Sequence, residues 1–241
     1  MSAALQVVRD TLTPGQSAAY HGIRRLILGH QAIGAVLSAP AGSGKTFLTA
    51  ALVEDLMRRR LRVVVSAPTH KAVGVISERV PDAEAMTVHA LLGLRLTKQE
   101  HGSYRLEREG DPKTGKFDVV VVDEASMVDA SLFALLLDCR GSAFLLLVGD
   151  PHQLPPPISG LDRSPAFDYP GLAHFTLDEV VRQKADSPIL TLATQIRKFQ
   201  GGRFPIADLV EHPGIQTASR DAVASIWTPG ARVLAWRNET V

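Results

Sequence analysis

A short Gly-rich segment constrains the fold of this chain more than any other feature of its sequence. Residues 39–46 read Ala-Pro-Ala-Gly-Ser-Gly-Lys-Thr, with an apolar run before them and a helix-forming run after them. Only small residues let successive backbone N–H groups curl around a phosphate chain, and the N-terminus of a following helix favours its negative charge. The segment therefore predicts a strand, a phosphate-binding loop and a helix, in that order.

Each residue type in this loop predicts a part in binding a nucleoside triphosphate. Lys45 would reach the β- and γ-phosphates, and the hydroxyl of Thr46 would coordinate Mg²⁺. The residues whose backbone would surround the phosphates are Ala41, Gly42, Ser43 and Gly44. The strict form of the pattern begins with glycine, whereas Ala39 stands first here. A loop without this function is the alternative, but such a loop needs neither the strand before it nor the helix after it.

A pair of acids follows a later apolar run. Residues 119–122 are four valines that predict a buried strand, and Asp123 and Glu124 come directly after it. An aspartate in this place holds Mg²⁺, usually through water, opposite Thr46. Glu124 would orient the attacking water and take its proton. An acidic turn after a core strand is the alternative, but the second acid needs a water to act on, so the pair favours hydrolysis over transfer to another substrate.

Short apolar runs alternate with helical patterns along the first part of the chain. The runs cover residues 32–38, 62–67, 118–122 and 143–148, and they are typical of strands buried on both faces of a parallel sheet. The helical patterns cover residues 14–28, 46–59, 70–80 and 130–139. Such alternation predicts an α/β fold in which helices connect parallel strands.

Residues 94–117 interrupt this alternation. They are polar and charged, and they centre on Glu-His-Gly-Ser at positions 100–103 with alternating residues on both sides. The pattern predicts a β-hairpin inserted between two core elements. A solvent-exposed hairpin without a binding role is the alternative reading of this charged insertion.

A domain boundary is predicted after Gly171. Prolines at 155–157, 165 and 170 indicate a rigid change of direction, and a second α/β pattern follows them. That pattern comprises strands near 173–177 and 232–236 and helices near 189–199 and 220–227. The 70 residues after Gly171 are fewer than the roughly 100 to 150 typical of a whole domain. We therefore expect a first domain over 1–171 and an incomplete second domain over 172–241.

Composition and charge exclude several classes of protein. The chain has 241 residues, of which 45% are hydrophobic, and it can bury a sizeable core. It has no apolar run near the roughly 20 residues that span a bilayer and no signal-peptide pattern, so we expect a cytoplasmic protein without a membrane partner. Cys139 is its single cysteine, which excludes an internal disulfide. A net charge of +1 means that any nucleic acid must be held locally, in a groove.

Seven motifs occur in an order that resembles the superfamily 1 helicases, in their 5′-to-3′ RecD-like and Dda-like branch. Beside the Gly-rich loop, they lie at residues 12–16, 67–72, 87–93, 123–127, 149–154, 177–183 and 233–238. The resemblance covers essentially the whole chain. It implies a RecA-like P-loop NTPase domain with a parallel sheet flanked by helices, a pin-like inserted hairpin, and the start of a second RecA-like domain.

The resemblance also implies roles for individual residues. Gln16 would read the adenine base, Gln153 would contact the γ-phosphate of ATP, and Arg182 would reach that phosphate across an interdomain cleft. The residues implied to contact DNA are Pro68, Thr69, His70, Lys71, Thr87, His89 and Tyr104. Among these, Tyr104 of the inserted hairpin could stack on an unpaired base.

Each of these roles has a simpler alternative. Gln16 could be a polar residue in the first turn of a helix, and residues 69–71 could form an ordinary turn between a strand and a helix. A lone histidine such as His89 is more often structural than a ligand. Arg182 could pair with Asp178 or Glu179, and Tyr104 could be a surface residue.

The resemblance implies a motor that hydrolyses ATP with Mg²⁺ and moves 5′ to 3′ along single-stranded DNA as a monomer, separating duplex junctions in repair or replication. Two other functions stay open. One is a fragment that binds ATP and DNA without unwinding by itself, since motifs that supply a second arginine and further DNA contacts are absent from the sequence. The other is a P-loop kinase, which the acid pair and Gln153 disfavour.

Overall fold

The computed structural model describes residues 11–98, 104–156, 162–179 and 192–196 of the chain. The chain divides into two compact units, Met1–Arg182 and Gln183–Val241. In the second unit only residues 192–196 are described, and they are helical, as the pattern over 189–199 predicts. The rest of the predicted second domain, including its strand near 232–236, lies outside the described residues.

The first unit is built on one six-stranded sheet. Its strands are β1 (Gly34–Ser38), β2 (Val63–Ala67), β3 (Glu84–Thr87), β6 (Val119–Val122), β7 (Phe144–Gly149) and β8 (Ala173–Thr176). The helices are α1 (Pro14–Gly29), α2 (Lys45–Arg58), α3 (His70–Arg79), α4 (Val88–Leu91) and α5 (Ala130–Cys139). The strand order is β3-β2-β6-β7-β1-β8, and all pairs are parallel. This confirms the predicted α/β fold.

Hydrophobic residues bury both faces of the sheet. Every residue of β2, β6 and β7 is buried, as continuous apolar runs predict for central strands of a parallel sheet. Helices α1, α2 and α3 pack on one face, where Tyr20 and Leu52 join the core. Helices α4 and α5 pack on the other face, where Leu91 and Leu136 are fully buried. The sheet is therefore a rigid platform for the loops at its edge.

The loops that matter for function share one edge of this sheet. The phosphate loop follows β1, the acid pair follows β6, and the segment with Gln153 follows β7. Because the strands are parallel, their carboxyl ends lie along the same edge. Open α/β sheets bind their ligands at this edge.

The inserted hairpin is confirmed. Strands β4 (Leu94–Lys98) and β5 (Tyr104–Arg108) pair antiparallel, with Leu94 opposite Arg108 and Lys98 opposite Tyr104. Polar pairs link exposed positions of the two sides: Arg95 to Glu109 at 3.2 Å and Thr97 to Glu107 at 3.1 Å. Cross-strand pairs of this kind fix the register of a two-stranded ribbon.

The strand β8 corrects the predicted domain boundary. The sequence places residues 173–177 at the start of a second domain, but β8 pairs in parallel with β1 as the edge strand of the first sheet. The first domain therefore extends beyond Gly171, and the first compact unit ends at Arg182. The prolines before β8 mark a turn within the domain, because the chain must return to the sheet edge beside β1.

Two further elements are absent from the sequence prediction. Strand β3 carries an exposed Glu84 and only four residues, so neither its length nor its composition resembles a buried strand. Helix α4 also has four residues and begins directly after β3, where Thr87 caps it. In the described part of the chain, no helix is long and apolar enough to span a membrane.

Candidate nucleotide site

The Gly-rich loop joins β1 to α2 with two residues in the left-handed backbone region. Gly42 has φ 81° and Gly44 has φ 80°, which glycine adopts without strain. Between them the Ser43 hydroxyl donates to the carbonyl of Pro40 at 2.8 Å and tightens the turn. Lys45 and Thr46 form the first turn of α2, where backbone N–H groups have no helical partner. The loop therefore has the geometry of a phosphate cradle.

The departure at Ala39 has a structural explanation. Among the described residues, those with positive φ other than glycine are His30, Arg60 and Glu124, so Ala39 does not need the freedom of glycine. Its side chain is 1% exposed, and its N–H donates to the carbonyl of Gly149 at 2.9 Å. Ala39 thus continues the pairing of β1 with β7, and the backbone turns only after it, at Gly42 and Gly44.

Gln16 ties helix α1 to this loop. Its side-chain oxygen accepts from the N–H of Thr13 at 3.0 Å, and the Thr13 hydroxyl accepts from the N–H of Gln16, which together form a capping box. Its amide nitrogen donates to the carbonyl of Ser43 at 2.8 Å, and the side chain is 4% exposed. A methyl group at Gly44 would come within 2.5 Å of that nitrogen. The amide keeps one further N–H that could reach a base.

The acid pair lies beside the loop. Asp123 is buried, whereas Glu124 is half-exposed and sits in the left-handed region with φ 54°. The N–H of Glu124 donates to the carboxylate of Asp123 at 2.9 Å. A non-glycine residue in this region is strained, and such strain persists only where the surrounding structure holds it.

Burial raises the pKa of Asp123 to about 6. The N–H of Glu124 opposes this rise, the Glu124 carboxylate adds to it, and the Lys45 ammonium lowers the pKa of Asp123 by Coulomb attraction. Lys45 is therefore close enough to Asp123 for the two charges to interact. Burial makes the negative charge of Asp123 unfavourable, and a bound divalent cation would neutralise that charge. The hydroxyl of Thr46, on α2, is the second oxygen ligand that the sequence predicts.

The raised pKa of Asp123 predicts a pH-dependent stability in the metal-free chain. Between about pH 4 and 6 the folded chain keeps a proton on Asp123 that the unfolded chain releases. The free energy of unfolding should therefore fall as pH rises through this window, by on the order of 2 to 3 kcal/mol. Above this window, Asp123→Asn should be more stable than the unsubstituted chain by a similar amount.

Denaturant unfolding in a chelator at several pH values measures this difference. Asp82→Asn, at an exposed position, is the matched control and should leave the curve unchanged. Equal pH dependence in the Asp123→Asn variant and the unsubstituted chain would contradict the raised pKa.

Gln153 follows β7 in a turn that Asp150 organises. The Asp150 carboxylate accepts from the N–H of His152 at 3.0 Å, and the Asp150 carbonyl accepts from the N–H of Gln153 at 3.1 Å. Asp150 is 2% exposed, whereas Gln153 is half-exposed at the carboxyl edge of the sheet. An aspartate that bonds the backbone two residues on is a turn signal that the sequence contains.

The residues predicted to contact DNA in the motifs at 67–72 and 87–93 lie close together. Ala67 and Thr87 are paired in β2 and β3, so the segments that follow each strand are neighbours. Thr69 caps α3 through a bond from the N–H of Ala72 at 3.2 Å, and Thr87 caps α4 in the same way. After Pro68, which is half-buried, Thr69, His70 and Lys71 are exposed at the N-terminus of α3.

Three further predicted residues differ from this group. His89 is half-buried, and burial lowers its pKa against the opposing charge of Asp129. This favours a neutral imidazole, which cannot neutralise a phosphate. Tyr104 begins β5 opposite Lys98, so the hairpin carries it, and its contact with a base stays a prediction. Arg182 lies outside the described residues.

The sequence matches the AAA domain family over residues 11–218. It is 29% identical to the ATP-dependent DNA helicase dda of Enterobacteria phage T4 over 250 residues, covering 96% of this chain and 55% of that protein. It is 34% identical to the ATP-dependent RecD2 DNA helicase of Deinococcus radiodurans over 169 residues, covering 69% of this chain and 22% of that protein. The chain thus spans about half the length, or less, of these curated relatives.

A solved structure shows the same fold. The Bacteroides Pif1 helicase, in a complex with single-stranded DNA, superposes with a TM-score of 0.52 at 19% identity over 73% of this chain and 45% of that one. With the parallel sheet and the Gly-rich loop, this likeness identifies a RecA-like P-loop α/β fold. The chain therefore belongs to the AAA domain family, and its likeness to the Dda and RecD2 helicases supports the N-terminal portion of a RecD-like or Dda-like superfamily 1 helicase.

Proposed function

We propose that this chain is the ATP-hydrolysing motor of a DNA helicase that moves 5′ to 3′ along single-stranded DNA. The observation that carries the proposal is the shared sheet edge, where the Gly-rich loop with Lys45 follows β1 and the acid pair Asp123 and Glu124 follows β6. Two relatives are named DNA helicases, and the related Bacteroides structure holds single-stranded DNA. These comparisons support DNA as the track, since the fold alone does not specify a substrate.

The proposed chemistry uses the described side chains directly. The backbone N–H groups of the Gly-rich loop hold the β- and γ-phosphates of ATP, and the Lys45 ammonium stabilises their negative charge. Thr46 and Asp123 would hold Mg²⁺, which neutralises charge on the phosphates when bound. Glu124 takes a proton from the water that attacks the γ-phosphorus, while the bond to the bridging oxygen breaks and ADP leaves.

Other side chains sense or position the nucleotide in this proposal. Gln153, held by the turn at Asp150, contacts the γ-phosphate and responds to its loss. Gln16 uses its remaining N–H for the adenine while its bond to Ser43 links base binding to the loop. Arg182, from the part of the chain outside the described residues, supplies a further positive charge to the γ-phosphate.

DNA is proposed to lie along the segments after β2 and β3. The first N–H groups of α3 have no helical partner, and they suit a DNA phosphate. Thr69, His70 and Lys71 are exposed there, and Thr87 lies beside them in the next strand. The inserted hairpin, with Tyr104, would meet the junction between single and double strands. The motor is proposed to act as a monomer in the cytoplasm, as the resemblance to superfamily 1 helicases implies.

Lys71→Ala should weaken binding of single-stranded DNA and reduce its dependence on salt. Each phosphate contact releases counterions, so losing one should reduce the slope of log affinity against log salt by about 0.7. Fluorescence anisotropy of a labelled oligonucleotide at several salt concentrations measures both quantities. Arg79→Ala is the matched control, because Arg79 is an exposed cation at the opposite end of the same helix. An equal loss of DNA affinity in both variants would contradict a specific DNA contact at the N-terminus of α3.

Direction of movement tests the proposed function. A translocase moving 5′ to 3′ should use ATP to displace streptavidin from a biotin at the 3′ end of an oligonucleotide, and not from one at the 5′ end. Displacement from the 5′ end alone would contradict the proposed polarity. If ATP and DNA bind but neither end is cleared, the alternative of a binding domain without motor activity is favoured.

A further inference from the structure

Gly149, the last residue of β7, occupies a place where a side chain would crowd its neighbours. A β-carbon built there would lie 3.0 Å from the backbone nitrogen of Ala125, 3.2 Å from that of Ser126 and 3.1 Å from the ring carbon Cζ of Phe167. Its φ is not positive, unlike that of Gly42 and Gly44. The reason for glycine here is therefore space and not backbone conformation.

The atoms that crowd Gly149 belong to the turn that follows Glu124. Ala125–Met127 form a short 3₁₀ helix, in which the N–H of Met127 donates to the carbonyl of Glu124 at 3.0 Å. Ala125 is 0% and Ser126 is 3% exposed, so the two residues that face Gly149 are buried. Because Glu124 is held in a strained left-handed conformation by this turn, a shift of the turn would move Glu124.

Gly149 also holds the start of the phosphate loop. Its carbonyl accepts from the N–H of Ala39 at 2.9 Å, in register with Ser38 of β1. One residue thus contacts the loop that would carry the phosphates on one side and the turn that carries Glu124 on the other. The distance between the phosphate loop and the turn after Glu124 therefore depends on the absence of a side chain at residue 149.

The ring of Phe167, which lies in the segment after β7, also packs against Gly149. Phe167 ends the short helix Pro165–Phe167, which Ser164 caps, and both Ser164 and Ala166 are 1% exposed or less. Phe167 itself is 6% exposed. A rigid aromatic ring in a closed site cannot move away cheaply, because protein interiors are close-packed.

We propose that Gly149 is a positioning residue for ATP hydrolysis, which sets the place of Glu124 relative to the phosphate loop with Phe167 as its support. The inference rests on the proposed function, in which Glu124 takes the proton of the attacking water. Small displacements of a catalytic group lower turnover far more than they lower binding. Gly149 should therefore affect the rate of hydrolysis and not the affinity for ATP.

Gly149→Ala should lower kcat about tenfold while the affinity for Mg·ATP and the KM stay close to those of the unsubstituted chain. Steady-state phosphate release gives kcat and KM, and a fluorescent ATP analogue gives affinity. Gly115→Ala is the matched control, because no atom lies within 4 Å of a β-carbon there. Thermal unfolding of each variant shows whether the chain is folded.

A double-mutant cycle distinguishes positioning from a general loss of structure. If Gly149 acts through Glu124, Gly149→Ala should lower kcat much less in a chain that already carries Glu124→Gln. If Gly149→Ala does not fold, Phe167→Leu takes its place, with a smaller expected fall in kcat and unchanged ATP affinity. Equal effects in both backgrounds, or parallel losses of binding and turnover, would overturn the proposal. Absence of turnover in the unsubstituted chain would instead contradict the proposed function.

Discussion

Replacing Lys45 with alanine is expected to abolish ATP hydrolysis, with a fall in kcat of at least about a hundredfold. Lys45 lies in the first turn of α2, and its ammonium is close enough to Asp123 to lower the pKa of that carboxyl. In the proposed function, this ammonium stabilises the negative charge on the β- and γ-phosphates. Affinity for ATP should fall about tenfold to a hundredfold, because the lost interaction is a charged hydrogen bond. Phosphate release and binding of a fluorescent ATP analogue measure the two effects.

Lys113→Ala provides the control for this substitution, because it removes an exposed lysine outside the site. It should leave both turnover and affinity unchanged. The fold of the Lys45→Ala chain should survive, since Lys45 is half-exposed and outside the core. Undiminished hydrolysis by a folded Lys45→Ala chain would show that the Gly-rich loop does not bind the reacting phosphates.

Glu124→Gln should lower kcat by about 10² to 10⁴ while Mg·ATP stays bound. Glutamine keeps the size of the side chain but cannot accept the proton of the attacking water. Asp123, the predicted ligand of Mg²⁺, keeps its bond from the backbone N–H of residue 124 in this variant, so the metal site should persist. Single-turnover hydrolysis and nucleotide binding, measured on the same preparation, separate the two functions.

Glu84→Gln is the control here, because Glu84 is an exposed glutamate on the edge strand β3. Its turnover should equal that of the unsubstituted chain. If nucleotide affinity fell in Glu124→Gln as far as turnover does, Glu124 would belong to the binding machinery, and another group would have to take the proton.

The residues that can be predicted from sequence are those whose type is set by chemistry or by full burial. Gly42 and Gly44 adopt positive φ in a loop that ends in Lys45, and few residue patterns allow this. The valines of β6 are buried on both faces, so their strand is evident from composition alone. Local patterns of this kind identify the loop, the acid pair and the central strands because no distant contact is needed to interpret them.

The parts that depend on distant contacts cannot be predicted in this way. Residues 173–177 have the pattern of a strand, but that pattern does not tell which sheet the strand joins, and only the structure shows that β8 pairs with β1. Gly149 has an ordinary backbone conformation, so only its neighbours, Ala125 and Phe167, explain it. These neighbours come from segments before and after β7, which periodicity does not connect.

Gln16 shows a case between these two. Thr13, Pro14 and Gln16 together predict a capped helix start, and the structure confirms the capping box. The same side chain also reaches Ser43 of the phosphate loop, 27 residues away. The side-chain oxygen of Gln16 therefore acts as the simpler alternative expects, as part of a capped helix start. Its side-chain nitrogen bonds to the phosphate loop. The contact of Gln16 with adenine stays a prediction.

The most direct test of the proposed motor is the rate of phosphate release from ATP by this chain, measured with and without single-stranded DNA and with and without Mg²⁺. We expect hydrolysis that requires Mg²⁺, rises when single-stranded DNA is added, and is lost in Lys45→Ala and Glu124→Gln. A chain that binds both ATP and DNA yet releases no phosphate under any of these conditions would contradict the account.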